Sequence, residues 1–243
     1  MSVIAIIPAR YASTRLPGKP LLAETGRPLI QHVVEAVRRA DGIDRIVVAT
    51  DDLRIAKAVA AFGGQAVMTG ESCRSGTDRL AEAARALSLA DDDLVLNIQG
   101  DEPEIPADCI TTLIRLLKTS DAPMVTLAAP LSSDLADKPD KVKVVCDSGG
   151  RAMYFSRAKI PFSRDDNADV SYLLHVGAYG YRVGFLKRFA CLPPTAAEQA
   201  EKLEQLRALE HGFSIAVAIV AYDGAGIDTP KDYAAFVARC KGR

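Results

Sequence analysis

The stretch VIAIIPARYASTRLPGKPL, residues 3–21, begins with five consecutive apolar side chains, Val3 to Ile7, and then turns abruptly cationic. A short unbroken apolar run reads as a strand buried on both faces. The next twelve residues carry Arg10, Arg15 and Lys19, with Ser13, Thr14 and Gly18 among them. Such a loop suits a polyanion, above all a phosphate chain. Backbone N–H groups can line it, and guanidinium and ammonium groups supply charge. The usual phosphate loop GxxxxGK[ST] is absent: Ser13 stands where its first glycine belongs, and Pro20 follows Lys19 in place of Ser or Thr. No GxGxxG occurs either, which argues against a dinucleotide oxidoreductase. The competing reading of the loop is a solvated turn with surface cations.

Working outward, apolar runs alternate with segments of helical period. Pro28–Ala40 and Leu53–Phe62 read as helices, the second stopped by Gly63–Gly64, and Thr77–Leu87 as a third. Arg45–Thr50, Gln65–Thr69 and Leu94–Ile98 read as strands. This alternation predicts an α/β fold with a mostly parallel central sheet covered on both faces, and ligands beyond the carboxyl ends of its strands. After about residue 120 the pattern changes. Met124–Ala129, Lys141–Cys146 and Arg151–Phe155 read as strands joined by turns such as Asp147–Gly150, which predicts an antiparallel lobe. Thr195–Glu210 reads as one helix and Ser214–Ala221 as a strand. The last helix has Thr229 as N-cap, Pro230 at its first position and Asp232 at its third. No repeat or long linker divides the 243 residues, so residues 1–243 read as a single domain, with the lobe within about 120–190.

Composition narrows the class. Half the side chains are apolar and a quarter charged, and the net charge of −1 argues against a general nucleic-acid binder. Cys73, Cys109, Cys146, Cys191 and Cys240 are scattered without a CxxC pair, as expected of thiols in a reducing compartment. The chain has no stretch suited to a signal peptide or a bilayer span, so a cytoplasmic protein without membrane insertion is expected.

Two carboxylates stand out. In NIQGDEP, residues 97–103, Asp101 follows a buried strand with Gly100 allowing the backbone to turn. A carboxylate there can hold Mg²⁺, which takes few protein ligands together with phosphate oxygens; otherwise it caps the next turn. In GIDTP, residues 226–230, the cap is supplied by Thr229, which leaves Asp228 for a second metal ligand or for a favourable place near a helix N-terminus. SGTDR, residues 75–79, offers hydroxyl and backbone groups for a base or sugar, or simple helix capping.

Together these fragments carry more than each does alone. IPARYASTRLPGKPL (7–21), SGTDRL (75–80), NIQGDEP (97–103), YFSRAKIPF (154–162), HVGAYGYR (175–182), LEQLRALEHG (203–212) and GIDTP occur in this order. The chain thereby resembles the 3-deoxy-manno-octulosonate cytidylyltransferases, also called CMP-Kdo synthetases, from Val3 to the final helix. The first loop alone is also similar to those of other sugar-activating nucleotidyltransferases, including CMP-sialate synthetases. The resemblance implies a Rossmann-like nucleotidyltransferase fold of the nucleotide-diphospho-sugar transferase type, with an inserted lobe that helps form a homodimer. It implies transfer of CMP from CTP to the anomeric hydroxyl of Kdo, for lipopolysaccharide synthesis.

By the same resemblance, Arg10, Arg15 and Lys19 would hold the triphosphate, with Ser13 beside them. Asp101 and Asp228 would hold Mg²⁺. Ala9, Ser75 and Arg79 would line the cytosine pocket, with Gln99 also contacting CTP. Gln99, His175, Tyr181, Glu204 and Gln205 would bind acceptor hydroxyls, Arg157 its carboxylate, with Arg164 contributing. Phe162 and Leu174 depart from the Trp and Arg of many members, both near the implied acceptor pocket. Activation of 8-amino-Kdo or of a sialate, or nucleotide binding without catalysis, are the alternatives.

Overall fold

The computed structural model describes residues 1–12, 16–73, 75–165, 170–222 and 226–242. Ser13 and Arg15, both expected in the nucleotide site, lie outside the described residues.

The first half is a strand–helix alternation: β1 (Val3–Ala9), α1 (Leu29–Arg38), β2 (Arg45–Thr50), α2 (Leu53–Ala61), β3 (Ala66–Met68), α3 (Gly76–Ala86) and β4 (Leu94–Asn97). Then come α4 (Ala107–Thr119), β5 (Met124–Leu131), the short α5 (Ser133–Ala136), β6 (Lys143–Cys146), β7 (Ala152–Ser156) and the long β8 (Tyr172–Arg182). The chain continues through α6 (Val183–Phe189), α7 (Ala196–Glu201), α8 (Gln205–Glu210), β9 (Ile215–Ile219) and α9 (Pro230–Lys241).

The main sheet has the order β3-β2-β1-β4-β8-β5-β9. β1, β2, β3 and β4 run parallel, β5 runs parallel to β9, and only β8 is reversed against its neighbours. The apolar runs explain this placement. Ile4, Ile6 and Ile7 are buried on β1, as are Leu94, Val95 and Leu96 on β4, so each strand needs cover on both faces. One core cluster joins Val33, Val37, Ile110, Leu113 and Leu117 to one face of the sheet, and another joins Leu80, Phe185, Leu186 and Phe189 to the other.

The antiparallel part is the β6–β7 hairpin, turned at Asp147–Gly150 and tied to β8 where Lys143 pairs with Leu174. Met124–Ala129, read from sequence as part of that lobe, is β5 of the main sheet. Residues 195–210, read as one helix, are two. Lys202 adopts the left-handed conformation (φ 55°), and buried Leu203 and Leu206 pin α8 on a new axis. The helical period of the sequence continues through this break, so it gave no warning.

A third, smaller core fixes the geometry of the site. Leu16 and Leu29 pack on Ile227, Tyr233, Phe236 and Val237, which docks α9 against the loop after β1. The Tyr233 hydroxyl accepts from the Glu24 backbone N–H at 2.9 Å.

Candidate active site

The site lies at the carboxyl ends of β1, β4 and β9, as expected for a sheet of this kind. After β4 the chain turns at Gly100. A Cβ there would stand 2.7 Å from the Pro8 carbonyl oxygen, so a glycine lets this turn press against the end of β1. Gly18, at φ +68°, opens the 3-10 turn Lys19–Leu21 and aims Lys19 inward.

Lys19 is the meeting point. Its Nζ donates to Asp101 Oδ2 at 2.8 Å and to the Ile227 carbonyl at 2.7 Å, and lies 3.5 Å from Asp228 Oδ1. The Ile227 N–H donates in turn to the Asp101 carbonyl at 2.9 Å. Segments after β1, β4 and β9 are thus tied together by side chain and backbone. Asp232 is occupied by the capping box with Thr229, as the sequence predicted.

A cavity of about 380 Å³ opens here. Of the expected nucleotide-site residues, it is lined by Ala9, Arg10, Lys19, Ser75, Arg79, Gln99, Asp101 and Asp228. Ser75 also caps α3, its Oγ accepting from the Asp78 N–H at 3.1 Å, so the capping reading of that motif holds as well. Arg79 is buried, and its guanidinium donates to Thr69 Oγ1 and to Asp51 Oδ2 (2.6 Å). Asp51 was not singled out from sequence. It follows β2 with no motif around it.

A second cavity of about 220 Å³ shares Gly76 and Gln99 with the first. It takes in Tyr181, Glu204 and Gln205 from the expected acceptor set and adds Thr77, Asn97 and Tyr179. Glu204 Oε2 accepts from Thr77 Oγ1 at 2.6 Å. Burial pushes the Glu204 carboxyl pKa up, opposed first by the hydrogen bond from Thr77. Burial likewise raises that of the Tyr181 phenol.

Three expected acceptor residues line neither cavity. His175 packs edge-on to Phe155, 5.0 Å between centroids, and its Nε2 is 3.1 Å from Thr126 Oγ1. Burial brings its pKa down to about 3, so the ring is neutral. Arg157 donates from Nε to the Glu201 carbonyl at 2.7 Å and from Nη1 to the Pro139 carbonyl at 3.1 Å. Arg164 is exposed.

Behind the carboxylates, Tyr222 Oη donates to Glu102 Oε2 at 2.6 Å. Burial, with the nearby charges of Asp101 and Asp228, pushes the Glu102 pKa up to about 7 against the opposing Tyr222 bond. Among the described residues no group of three or more His, Cys, Asp or Glu side chains forms a metal cluster. No helix among them is long and apolar enough to cross a membrane.

Paired carboxylates beside cations, at the strand ends of a mixed sheet, are the equipment of a nucleotidyl-transfer enzyme, and the family model described as Cytidylyltransferase matches residues 4–215. The chain belongs to that family and, within it, to the 3-deoxy-manno-octulosonate cytidylyltransferases (CMP-Kdo synthetases). It is 54% identical over 98% of its length to the 3-deoxy-manno-octulosonate cytidylyltransferase of Syntrophobacter fumaroxidans, 96% of which is covered. It is 49% identical over 96% of its length to the 8-amino-3,8-dideoxy-manno-octulosonate cytidylyltransferase of Shewanella pealeana, again with 96% covered. A solved CMP:2-keto-3-deoxy-manno-octonic acid synthetase, complexed with CTP, superposes with a TM-score of 0.95 at 42% identity, covering 100% of this chain and 99% of that one. The fold alone is shared with 4-diphosphocytidyl-2C-methyl-D-erythritol synthase (TM-score 0.66, 16% identity, 98% of this chain and 97% of that one).

Proposed function

We propose that this enzyme transfers the cytidylyl group of CTP to the anomeric hydroxyl of 3-deoxy-manno-octulosonate (Kdo), giving CMP-Kdo and diphosphate for lipopolysaccharide synthesis. The observation that carries the reading is the convergence of Arg10, Lys19, Asp101 and Asp228 on one cavity, adjoined by a second cavity with hydroxyl-binding groups.

Nucleotidyl transfer needs in-line positioning and charge stabilisation more than covalent help. Arg10 and Lys19 bind the triphosphate, and Lys19 stabilises charge on the departing diphosphate. Ser75 and Arg79 bound the cytosine. Gln99, Tyr181, Glu204 and Gln205 orient the acceptor.

The donor set fits Mg²⁺. Asp101 and Asp228 are hard oxygen donors brought within reach of one ammonium group, and Mg²⁺ is commonly bound by one or two carboxylates together with substrate phosphates and water. Asp101 and Asp228 would hold the ion, which supplies Lewis-acid polarisation of phosphoryl oxygen and makes a bound hydroxyl easier to deprotonate.

The test is diphosphate release from CTP with Kdo, with 8-amino-Kdo and without sugar. Release with Kdo alone supports the proposal. The 49% identity to an 8-amino-Kdo enzyme favours that sugar as the second reading, and preference for it would establish that reading instead. Arg157→Ala tests the acceptor carboxylate: unchanged saturation by Kdo would place that contact elsewhere. The antiparallel insertion within about 120–190 serves a homodimer in this proposal, supported by exposed Met153, Tyr154 and Phe162. The five scattered cysteines, with no CxxC pair, support a reducing, cytoplasmic setting.

A further inference from the structure

We infer that Thr77 is a positioning residue for the acceptor: its hydroxyl fixes the Glu204 carboxylate so that one carboxylate oxygen faces the bound sugar acid. The inference rests on the function proposed above and deepens it.

Thr77 stands in the first turn of α3, between two functional neighbours. Ser75 and Gly76 line the nucleotide cavity, while Gly76 and Thr77 line the acceptor cavity. Its side chain is 2% exposed, so its hydroxyl serves the interior and not solvent. It donates to Glu204 Oε2 at 2.6 Å across 127 residues of sequence. Tyr181 and Asn97 line the same cavity as Thr77. One hydroxyl therefore joins Glu204 of the acceptor wall to the helix that starts at the nucleotide cavity.

The rest of the wall shows why Oε2 is the atom held. Arg207, which pairs with Glu204, is engaged more closely by Glu198, which accepts from its Nε at 2.8 Å and from its Nη2. Arg207 Nη2 makes only a longer ion pair with Glu204 Oε1, at 3.6 Å. Apart from that ion pair, Oε1 is buried without a hydrogen-bond partner, and Gln205 Nε2, on the next residue, is also buried without one. Gln205 is 4% exposed and lines the same cavity.

Buried polar groups left without hydrogen bonds are costly, so this pair is poised for a ligand. One atom accepts and the other donates. A sugar hydroxyl can donate to Oε1 while accepting from Nε2, which satisfies both at once. This works only while Oε2 is held, since a carboxylate free to rotate presents either oxygen in several directions.

The test uses the full-length enzyme with CTP, Mg²⁺ and Kdo. Thr77→Val and Thr77→Ala both remove the hydroxyl but leave different shapes, and Thr77→Ser keeps it. In the two deletion variants the KM for Kdo rises about tenfold, the scale of one lost hydrogen bond to a buried charge. The KM for CTP stays within about twofold of wild type, and Thr77→Ser restores the Kdo KM. A Kdo KM unchanged in either folded deletion variant overturns the inference. So does a parallel rise in both KM values, or failure of the serine variant to restore binding. Loss of folding in both deletion variants overturns it in favour of a purely structural role. A wild-type enzyme without turnover on Kdo removes the proposed function and this inference together; an active wild type with unaffected variants removes the inference alone.

Discussion

Lys19 Nζ lies 2.8 Å from Asp101 Oδ2, although 82 residues separate them in sequence. The contact joins the loop after β1 to the turn after β4, and Asp228 completes it from the segment before α9. Positive charge from one loop and negative charge from two others are thereby focused on one wall of the cavity. Replacing Asp101 or Asp228 by Asn keeps the shape and removes one oriented charge. Turnover falls on the order of a hundredfold or more in each variant, measured as diphosphate release at saturating CTP. Near-wild-type turnover in either would take that residue out of the reacting centre.

Lys19→Met gives the complementary result. It leaves two carboxylates facing each other without their shared cation and the Ile227 carbonyl without its donor, so turnover falls by a comparable factor and the thermal midpoint falls as well. Raising the Mg²⁺ concentration recovers part of the lost turnover if the two aspartates are metal ligands. A titration of rate against Mg²⁺ reads this directly, and a flat titration counts against that ligand assignment.

Tyr222→Phe removes the hydroxyl that serves the buried Glu102 carboxyl. The expected cost is about 1–3 kcal/mol of stability, because a buried acceptor loses its donor. The urea midpoint falls, and turnover falls less than in Asp101→Asn. An unchanged midpoint would mean that water replaces the hydroxyl without loss.

Glu201 ties the hairpin to the α7–α8 pair. Its carboxylate accepts from Ser156 Oγ at 2.5 Å and from the Arg157 N–H at 2.9 Å. Lys143, fully buried, donates to the Arg157 carbonyl at 2.6 Å. Glu201→Ala is expected to cost about 1–3 kcal/mol, read from the denaturant midpoint. It leaves the KM for CTP unchanged, because none of these residues lines the nucleotide cavity. A raised KM for CTP would show that the hairpin reaches that cavity.

His175 sets part of the acid limit of stability. Burial brings its pKa from 6.5 down to about 3. Between those values the unfolded chain binds the proton and the folded one does not, so stability is lost as pH falls through that window. In His175→Gln that part of the acid limb flattens when the thermal midpoint is measured from pH 7 downward. A limb identical to wild type would exclude His175 as its source.

Much of the nucleotide half was legible in sequence. Buried strands leave continuous apolar runs, helix caps leave Thr-Pro-x-Asp patterns, and the cationic loop announces itself by composition. The acceptor half was less so. Thr77 reads as a helix-capping candidate until Glu204 is seen against it. Asp51 has no motif around it, and its partnership with Arg79 exists only once β2 and α3 are side by side. The break at Lys202, which turns Glu204 and Gln205 into the cavity, is hidden because a helical period continues across it.

The chain by itself determined the strand–helix order, the capped last helix and the concentration of positive charge after β1, because local propensity and apolar period act over a few residues. The tertiary structure decided which of the charged groups meet. Lys19, Asp101 and Asp228 come together through sheet order and the docking of α9, and their interaction depends on distances that no local pattern encodes. The loop that opened the sequence therefore supplied the cation, and the fold supplied its two carboxylate partners.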